Sequence, residues 1–552
     1  MKILLFSLNS RYIHVTPAPY CLCAGVFAYA KEKHEVRVVD ATVNDDPKRL
    51  LALLEEARAD VYAFPTYIWN VSQVTSLVSR LKEAHPEVRV VLGGPEVSYD
   101  VAHFFAETQA DYILSGEGEL PFALLADALA QGREPLEIPG CSFRRANGET
   151  VISSPYIAEE DPPSPISAGY AEALQGRIAY VEGSRGCPFS CAFCLSGRTG
   201  GVRFFSLDRV KKDILALVKG GSRTVKFIDR TFNADRKRAR ELFSYLLAER
   251  GKAIPIDVCF HFEIAGELLE EETLSLLKTA PKGYFQMEIG LQTFHKDTLR
   301  AIHRSDHTEG LCASVKELLS YGNIHTHLDL IAGLPLEDLS AFESSFDTAF
   351  SLRPHMLQLG FLKLLRGAPL REERSTYPCT FTERPPYTVV STPCLSESDL
   401  AALHLVEIGC DRLYNSRRYL KTVERVLECG AFTPFALFRL AGETLSRLPQ
   451  GYTLNDEVDT LLSLLSSSVS ADALRDAMKA DFVESNSSCR IPPALRENGD
   501  TYKKREREID ALYPPKRGLR RSLVLLSTGE ALLAEYGGKD PVTGRYISRL
   551  IK

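Results

Sequence analysis

The sequence predicts an α/β protein of about three domains: a parallel N-terminal sheet, a central partial (β/α)6 barrel and a mostly helical C-terminal domain. The chief observation is that β-branched apolar runs alternate with helical patterns in two stretches, which a Pro- and Gly-rich segment separates. The length of 552 residues also favours several domains, because a single hydrophobic core rarely serves more than about 300 residues. The predicted domains are 1–132, 172–372 and 380–552, and residues 133–171 form a connector.

The N-terminal domain begins with apolar runs that we interpret as five strands of a Rossmann-like sheet. These runs cover residues 3–7, 36–39, 61–64, 88–92 and 112–114, and helical patterns lie between them. Such alternation implies parallel strands with right-handed crossovers, and ligands then bind beyond the carboxyl ends of the strands. The connector contains a predicted hairpin that turns at Asn147-Gly148.

The central domain repeats the strand–helix alternation six times. Its candidate strands are residues 178–182, 224–228, 256–260, 285–289, 327–332 and 356–362. Six such units predict a partial barrel whose active site lies at the C-terminal face of the strands. Beyond about Pro385 the pattern is mostly helical, and Gly430 follows one predicted helix as its C-terminal cap.

The bulk composition is that of a globular protein that is not secreted. The net charge of −6 gives no reason to expect nucleic acid, and we interpret the basic stretch 503–521 as a solvated surface. No apolar run reaches the ~20 residues that span a membrane, and the N-terminal apolar stretch is too short for a signal peptide. The 13 cysteines are an odd number, so we expect a cytoplasmic protein with reduced or metal-bound thiols.

Three cysteines form a cluster directly after the first strand of the central domain. Cys187, Cys191 and Cys194 lie within one short loop, so their thiols can converge on a single metal centre. Thiolates suit either zinc or an iron–sulfur cluster. A structural zinc site would need a fourth ligand, and no second cysteine or histidine pair stands nearby in the sequence. Three ligands to a four-iron cluster leave one iron open for chemistry, which favours the iron–sulfur interpretation.

The spacing C-x3-C-x2-C at the end of a barrel strand resembles the radical SAM superfamily, and Phe193 before the last cysteine fits the same pattern. The resemblance implies that the three cysteines hold a 4Fe–4S cluster whose open iron chelates S-adenosylmethionine. One electron would cleave the sulfonium to methionine and a 5′-deoxyadenosyl radical, which abstracts hydrogen from a substrate. Matching positions along the chain extend the implied cofactor site: Asp229 for the methionine amino group, Glu288 and Gln292 for the ribose, and Gly333 after the fifth strand.

Three loops at the carboxyl ends of the N-terminal strands resemble those of cobalamin-binding radical SAM proteins. Paired glycines in one of them allow the backbone to approach a flat, bulky ligand. The resemblance implies that cobalamin is a second cofactor. Its candidate binding residues are Tyr67, Trp69, Gly93, Gly94, Glu96, Ser98, Gly116, Glu117 and Gly118.

Two other interpretations of the N-terminal domain are a methylthiotransferase domain with its own cluster and a degenerate fold used only for interaction. The first would need three ligand cysteines, but the sequence offers only Cys21 and Cys23, with Cys141 in the connector. The Asp-x-His-x-x-Gly motif that ligates cobalt in some cobalamin domains does not occur around His14. We therefore expect His14 to be a loop histidine and not a cobalt ligand.

The functional hypothesis is a cobalamin-dependent radical SAM enzyme that methylates an unactivated carbon. The alternatives are rearrangement, cyclisation or oxidation without methyl transfer, and a non-catalytic corrinoid or iron–sulfur sensor. We expect a small-molecule or peptide substrate, and a reductase or a flavodoxin- or ferredoxin-type electron donor. His325 and His327 alternate along a predicted strand, where a barrel-wall pair is favoured over a metal pair because the sequence offers no third ligand.

Overall fold

The chain divides into two compact units in the computed structural model, which describes residues 1–497 and 499–552 apart from the side chains of Thr199 and Thr501. Unit 1 comprises Met1–Leu268, Ile302–Arg304 and Lys363–Val389, and unit 2 comprises Leu269–Ala301, Ser305–Leu362 and Val390–Lys552. Each unit contains parallel strands with intervening helices, as the sequence predicts.

A seven-stranded sheet begins unit 1. Its strands are β1 (Lys2–Asn9), β2 (Glu35–Thr42), β3 (Val61–Pro65), β4 (Arg89–Gly93), β5 (Tyr112–Leu114), β6 (Cys141–Arg144) and β7 (Thr150–Val151). Its helices are α1 (Ala18–Tyr29), α2 (Pro47–Ala57), α3 (Val71–Ala84), α4 (Val101–Glu107) and α5 (Glu119–Ala130). The strand order is β2-β1-β3-β4-β5-β6-β7, in which the first five are parallel and the last two antiparallel.

Strand β1 shows why the N-terminal apolar runs are continuous. Leu4 and Phe6 pack into one hydrophobic cluster, whereas Ile3 and Leu5 pack into another. Because successive side chains point to opposite faces, helices must cover both faces of the sheet. The predicted parallel sheet is confirmed, and so is the hairpin, since β6 and β7 pair across the turn that contains Gly148.

The second part of unit 1 contains three parallel strands and a separate hairpin. Its elements are α6 (Tyr170–Leu174), β8 (Ala179–Val181), β9 (Ser184–Cys187), β10 (Gly201–Phe204), α7 (Leu207–Lys219), β11 (Thr224–Phe227), α8 (Arg236–Glu249) and β12 (Cys259–Ile264). Strand β11 pairs in parallel with β8 and β12, while β9 and β10 form an antiparallel pair that we call the cluster hairpin. The expected strand at 256–260 was placed too early, because Pro255 begins a turn and leaves Ile256 exposed.

Unit 2 contains three further parallel strands. The elements in this stretch are α9 (Glu271–Lys278), β13 (Phe285–Gln292), α10 (Lys296–Ala301), α11 (Thr308–Ser320), β14 (His325–Ala332), α12 (Leu339–Ser351) and β15 (Met356–Phe361). Strand β14 pairs in parallel with both β13 and β15. Alternate residues such as Ile289 and Leu328 are fully buried, so the opposite face carries the polar side chains. The chain then returns to unit 1 with α13 (Pro369–Glu372) and β16 (Thr380–Phe381), and β17 (Val389–Ser391) begins at the last residue of that unit.

The C-terminal part of unit 2 is mostly helical, as predicted. Its elements are α14 (Glu397–Cys410), α15 (Leu420–Glu428), α16 (Pro434–Ser446), α17 (Leu454–Leu465), α18 (Ala471–Ser485), α19 (Asp500–Leu512), β18 (Arg521–Leu525), β19 (Ala531–Lys539) and β20 (Tyr546–Ile551). Helices α14 and α16 cross at two glycines, where a Cβ on Gly442 would lie 1.8 Å from the Leu405 carbonyl oxygen. The antiparallel sheet β18-β19-β20 was not predicted.

The loop between β19 and β20 contacts the amino-terminal ends of β13 and β14. Lys282, just before β13, forms an ion pair with Asp540. The Val542 carbonyl accepts hydrogen bonds from the His325 ring (3.1 Å) and from Arg417 (2.7 Å). This loop therefore covers the amino-terminal ends of the two strands. Along the described chain, no helix has the length and apolar character that a membrane span requires.

Candidate cofactor site

The three clustered cysteines lie on the cluster hairpin and the loop that follows β9. Cys187 is the last residue of β9, and the Cys194 N–H donates a hydrogen bond to the Cys191 carbonyl (3.0 Å). Cys191 is buried, whereas Cys187, Cys194 and the intervening Phe193 are half-buried. The loop thus presents three thiols within eight residues of chain, and none of them forms a disulfide.

Each of these three sulfur atoms has a hydrogen-bond partner of its own. The partners are Thr231 Oγ1 for Cys187 (3.4 Å), the Arg304 guanidinium for Cys191 (3.7 Å) and the Ser196 N–H for Cys194 (3.4 Å). Burial raises the pKa of Cys191, while the positive charge of Arg304 opposes that effect. Thiolates are the ligands of iron–sulfur clusters, and hydrogen bonds to the sulfur atoms tune the reduction potential of the cluster. These three thiols therefore fit a cluster with three protein ligands.

Asp229 follows β11 and is 3% exposed. Its carboxylate accepts hydrogen bonds from Ser184 Oγ (2.6 Å) and from the Gly183 N–H (2.8 Å), which lie at the start of the cluster hairpin. Burial raises the pKa of Asp229 to about 6, although both hydrogen bonds favour its charged form. Asp229 therefore fixes the beginning of the hairpin, and its contact with a methionine amino group stays a prediction.

Ser98 joins the loops that follow β4 and β5. Its hydroxyl donates to the Gly94 carbonyl (2.8 Å) and accepts from the Gly116 N–H (3.4 Å). Both glycines have positive φ, at 105° and 87°. A Cβ on Gly94 would lie 2.6 Å from the Thr66 oxygen, and one on Gly116 would lie 2.1 Å from the Tyr156 oxygen. Their own backbone neighbours therefore require glycine at these two positions.

Ser115, which the sequence analysis missed, has a buried hydroxyl beside these glycines. The residue is 1% exposed, and Ser115 Oγ has no hydrogen-bond partner within the described part of the chain. An unpaired buried hydroxyl costs about 1–3 kcal/mol, so a polar ligand group here would be stabilising. Gly93 has room for a Cβ at ordinary contact distance, whereas at Gly118 a Cβ would lie 2.7 Å from the Leu22 side chain.

An aromatic pair follows β3 at the same end of the sheet. The Tyr67 and Trp69 rings stack with centroids 4.3 Å apart and an interplanar angle of 6°. Trp69, the only tryptophan of the chain, is 47% exposed. Asn70 anchors the loop through its side-chain amide, which donates to the carbonyls of Leu8 and Pro65. The exposed indole offers a flat apolar surface of the kind that flat ligands bind.

The two acidic candidates of the N-terminal loops have protein partners. Glu96 is buried and accepts a hydrogen bond from Tyr387, and burial raises its pKa. Glu117 lies between Arg185 and Arg203 of the cluster hairpin, 2.6 Å from each. Their direct contact with a cofactor stays a prediction, and the structure assigns both carboxylates a role in holding their loops.

A charged triad lies on the polar face of β13 and β14 in unit 2. Glu288 is the register partner of His327, and Asp329 lies two residues further along β14, so the three side chains share a face. His327 Nε2 lies 2.6 Å from Asp329 Oδ1, and His327 Nδ1 lies 3.6 Å from Glu288 Oε2. Burial lowers the pKa of His327, but the two carboxylates outweigh burial and raise it to about 9.

This triad supplies the acidic partners that the sequence did not predict for His327. The ligand atoms of Glu288, His327 and Asp329 all lie within 4.8 Å of one another, close enough to hold a metal ion. The 2.6 Å separation of His327 and Asp329 is nonetheless shorter than the about 3 Å between neighbouring ligand atoms of one ion. This distance is typical of an ion pair, so the three side chains form an ion-pair cluster. His325 does not join it, because its ring is engaged by the β19–β20 loop.

The remaining candidates of unit 2 lie at the carboxyl ends of the same strands. Gln292 ends β13 at a register shift with a φ of 69°, and its Nε2 would lie 2.2 Å from a Cβ on Gly290. Gly333 follows β14 with a φ of 87°. Glu337 is fully buried beside Thr293, and burial raises its pKa to about 7. Contact of Glu288, Gln292 and Gly333 with a nucleoside stays a prediction.

Family models match three consecutive stretches of the chain. A B12 binding domain matches residues 24–126, the Radical SAM superfamily matches residues 181–349, and a protein of unknown function (DUF4080) matches residues 375–524. The chain therefore combines a B12-binding-type domain with a radical SAM domain. The matched regions are the N-terminal cobalamin-type domain, the radical SAM core and the uncharacterised C-terminal domain that the sequence predicts.

The chain is similar to two curated methyltransferases at 28% identity. One is the cobalamin-dependent radical SAM methyltransferase TokK of Streptomyces tokunonensis, aligned over 374 residues that cover 63% of this chain and 54% of TokK. The other is the 2-(S-pantetheinyl)-carbapenam-3-carboxylate methyltransferase of Streptantibioticus cattleyicolor, aligned over 373 residues that cover 62% of this chain and 53% of that enzyme. The chain thus spans about half the length of these relatives.

A solved structure confirms the predicted fold class of the chain. The cobalamin-dependent S-adenosylmethionine radical enzyme OxsB, with aqua-cobalamin and S-adenosylmethionine bound, superposes with a TM-score of 0.60. The match covers 93% of this chain and 80% of OxsB at 13% sequence identity.

Proposed function

We propose that this chain is a cobalamin-dependent radical SAM enzyme that reductively cleaves S-adenosylmethionine at a 4Fe–4S cluster and methylates an unactivated carbon. The observation that carries the proposal is the trio of thiols on the cluster hairpin and its loop, each with its own hydrogen-bond partner. They share a unit with the loops of a cobalamin-type sheet. When bound, the cluster would supply the electron and cobalamin would carry the methyl group.

The side chains of the cysteine loop would hold and tune the cluster. Cys187, Cys191 and Cys194 are its proposed ligands. Arg304 places a positive charge beside Cys191, which favours the thiolate that iron requires. A flavodoxin- or ferredoxin-type protein is the proposed source of the electron.

The N-terminal loops would orient the corrin ring. The stacked Tyr67 and Trp69 offer a flat apolar surface, and the Ser115 hydroxyl offers a polar contact. His14 is not a proposed cobalt ligand, because the Asp-x-His-x-x-Gly motif does not occur around it; its Nδ1 lies 2.5 Å from the Tyr180 hydroxyl. In unit 2, Glu288, Gln292 and Gly333 are the proposed contacts for the adenosyl group.

Anaerobic reconstitution tests the cluster part of the proposal. The full chain is loaded with iron and sulfide, reduced with dithionite and assayed for 5′-deoxyadenosine formed from S-adenosylmethionine. We expect Cys191→Ala to lose both iron and product, whereas Cys429→Ala, at an exposed and isolated cysteine, should retain both. A cluster-loaded parent protein that leaves S-adenosylmethionine intact would favour the sensor hypothesis instead.

Corrinoid retention and label transfer test the cobalamin part. After incubation with hydroxocobalamin and desalting, we expect near-stoichiometric cobalt in the parent and clearly less in Trp69→Ala. Phe27→Ala serves as the control, because it also removes an exposed aromatic ring from the same domain. With methyl-deuterated S-adenosylmethionine, the label should appear in an acceptor. Deoxyadenosine formation with every candidate acceptor left unlabelled would argue for rearrangement, cyclisation or oxidation.

A further inference from the structure

An ion network joins the segment Ser115–Gly118, which we call the β5 loop, to the cluster hairpin. Arg185 on β9 lies two residues before the ligand candidate Cys187. Its guanidinium contacts Glu117 and Glu119, both at 2.6 Å, and Glu182 at 2.8 Å. The Arg185 side chain is 19% exposed. Charge-assisted bonds this far from solvent are screened little by salt, so the network is a strong connection.

The second strand of the cluster hairpin reaches the same carboxylate. Arg203 on β10 is the register partner of Arg185, and Gly201 of the same strand pairs with Cys187. Arg203 donates to both oxygens of Glu117, at 3.0 Å and 2.6 Å. Both strands of the hairpin therefore hold the single carboxylate of Glu117. A shift of the β5 loop would separate the Glu117 carboxylate from two guanidinium groups that lie on the cluster hairpin.

The other contacts of the β5 loop lead to the candidate corrin site. The Gly116 N–H bonds Ser98, which is tied to the paired glycines after β4, and Ser115 carries the unpaired hydroxyl. Two backbone hydrogen bonds hold the β5 loop against Tyr156. The Glu117 N–H donates to the Tyr156 carbonyl (2.8 Å), and the Tyr156 N–H donates to the Ser115 carbonyl (2.9 Å). Four consecutive residues thus connect one cofactor site to the other.

We infer that the β5 loop couples the two cofactor sites, so that loading the cluster tightens corrinoid binding and bound corrinoid slows loss of the cluster. The inference rests on the proposed function for the identity of the two cofactors. Either cofactor would order the β5 loop and the hairpin together, and the second would then bind to a site already ordered. Couplings of this kind amount to about 5- to 150-fold, and we expect roughly tenfold here.

The inference makes Glu117 a positioning residue for both cofactors. If Glu117 had only a structural role, its substitution would weaken the binding of each cofactor separately. The ratio of the corrinoid affinities of cluster-loaded and cluster-free protein would then stay unchanged. That ratio is therefore the quantity to measure. Coupling between binding sites is reciprocal, so the same factor must appear in the retention of iron.

The experiment uses the full chain in cluster-loaded and cluster-free form. Equilibrium dialysis against hydroxocobalamin, with bound cobalt counted, gives the affinity of each form. We expect about a tenfold ratio in the parent and a ratio near one in Glu117→Gln, which keeps the shape of the side chain and loses its charge. Asp111→Asn is the matched control, since that carboxylate lies at the opposite end of β5 and pairs with Lys82 (2.7 Å).

A parent that retains both cofactors with a ratio of one would overturn the inference and leave the proposed function standing. A parent protein that takes up no corrinoid would contradict both the inference and the cobalamin part of the proposed function. A Glu117→Gln protein that keeps the parent ratio would also overturn the inference. If Glu117→Gln fails to bind one of the cofactors, Arg203→Lys is used as the test variant instead. Lysine keeps the positive charge but cannot form the bidentate contact with Glu117. The ratio of Arg203→Lys must fall below that of the parent, and an unchanged ratio would again overturn the inference.

Discussion

The charge on His327 gives a quantitative test of the electrostatics of unit 2. Burial alone would favour the neutral ring, and the contacts with Asp329 and Glu288 reverse that preference and raise the pKa to about 9. The ordinary histidine pKa is 6.5, and each pKa unit corresponds to about 1.4 kcal/mol. The net shift therefore makes the folded protein about 3 kcal/mol more stable with the ring protonated than with the ring neutral.

The sign of the pH dependence follows from the raised pKa. Below about pH 6.5 the ring is protonated in both the folded and unfolded chain, so the stabilisation is fully present. It is lost as the pH rises through about 9, where the folded protein must release the proton. Glu288→Gln removes one of the two negative charges and should move the pKa of His327 downwards.

Carbon NMR of protein labelled at histidine Cε1 measures this pKa directly. The His327 signal is assigned by its disappearance in His327→Gln, and its shift is followed between about pH 5 and 10, a range that brackets the two pKa values. Glu309→Gln, at an exposed position of α11, serves as a control that should leave the titration unchanged. A His327 signal that titrates at or below pH 6.5 would refute the electrostatic reasoning.

Four further predictions follow from single contacts. Ser115→Ala should stabilise the cofactor-free protein by about 1 kcal/mol in thermal unfolding and weaken corrinoid retention; unchanged stability would show that the hydroxyl is not unpaired. Arg304→Gln should make the midpoint potential of the cluster more negative in an EPR redox titration, while Arg300→Gln at a mostly exposed site should not. Gly442→Ala should destabilise the α14–α16 pair by about 1–3 kcal/mol or more in urea unfolding, and a smaller loss would mean that the helices do not approach as described. Because burial raises the pKa of Glu337 to about 7, the parent should lose stability as the pH rises from about 4.5 through 7, and Glu337→Gln should remove that dependence.

The sequence revealed those features that local pattern determines. The strands of the N-terminal sheet are buried on both faces, so their apolar runs are continuous and easily recognised. The three cysteines are close in sequence, and their spacing alone pointed to one metal centre. His14 is a loop histidine as predicted, and burial lowers its pKa.

Features that depend on distant pairing escaped the sequence. Arg304 is 113 residues from Cys191, and nothing in its neighbourhood indicates that it contacts a cluster thiol. Glu117 was a candidate cofactor contact because it lies in the loop after the fifth strand, yet its carboxylate binds two arginines of the cluster hairpin. Glu288 was not recognised as a partner of His327, because the register between β13 and β14 decides that contact.

The β19–β20 loop has a consequence for synthesis of the protein on the ribosome. His325 and the Val542 carbonyl that it bonds are 217 residues apart in the chain. At about 5–20 residues per second, roughly 10 to 40 s pass between the emergence of the first group and of the second. During that interval the ends of β13 and β14 have no covering loop, so the nascent chain presents unsatisfied strand ends to chaperones and to other chains. Stalled or prematurely released translation products should consequently aggregate more readily than the finished protein.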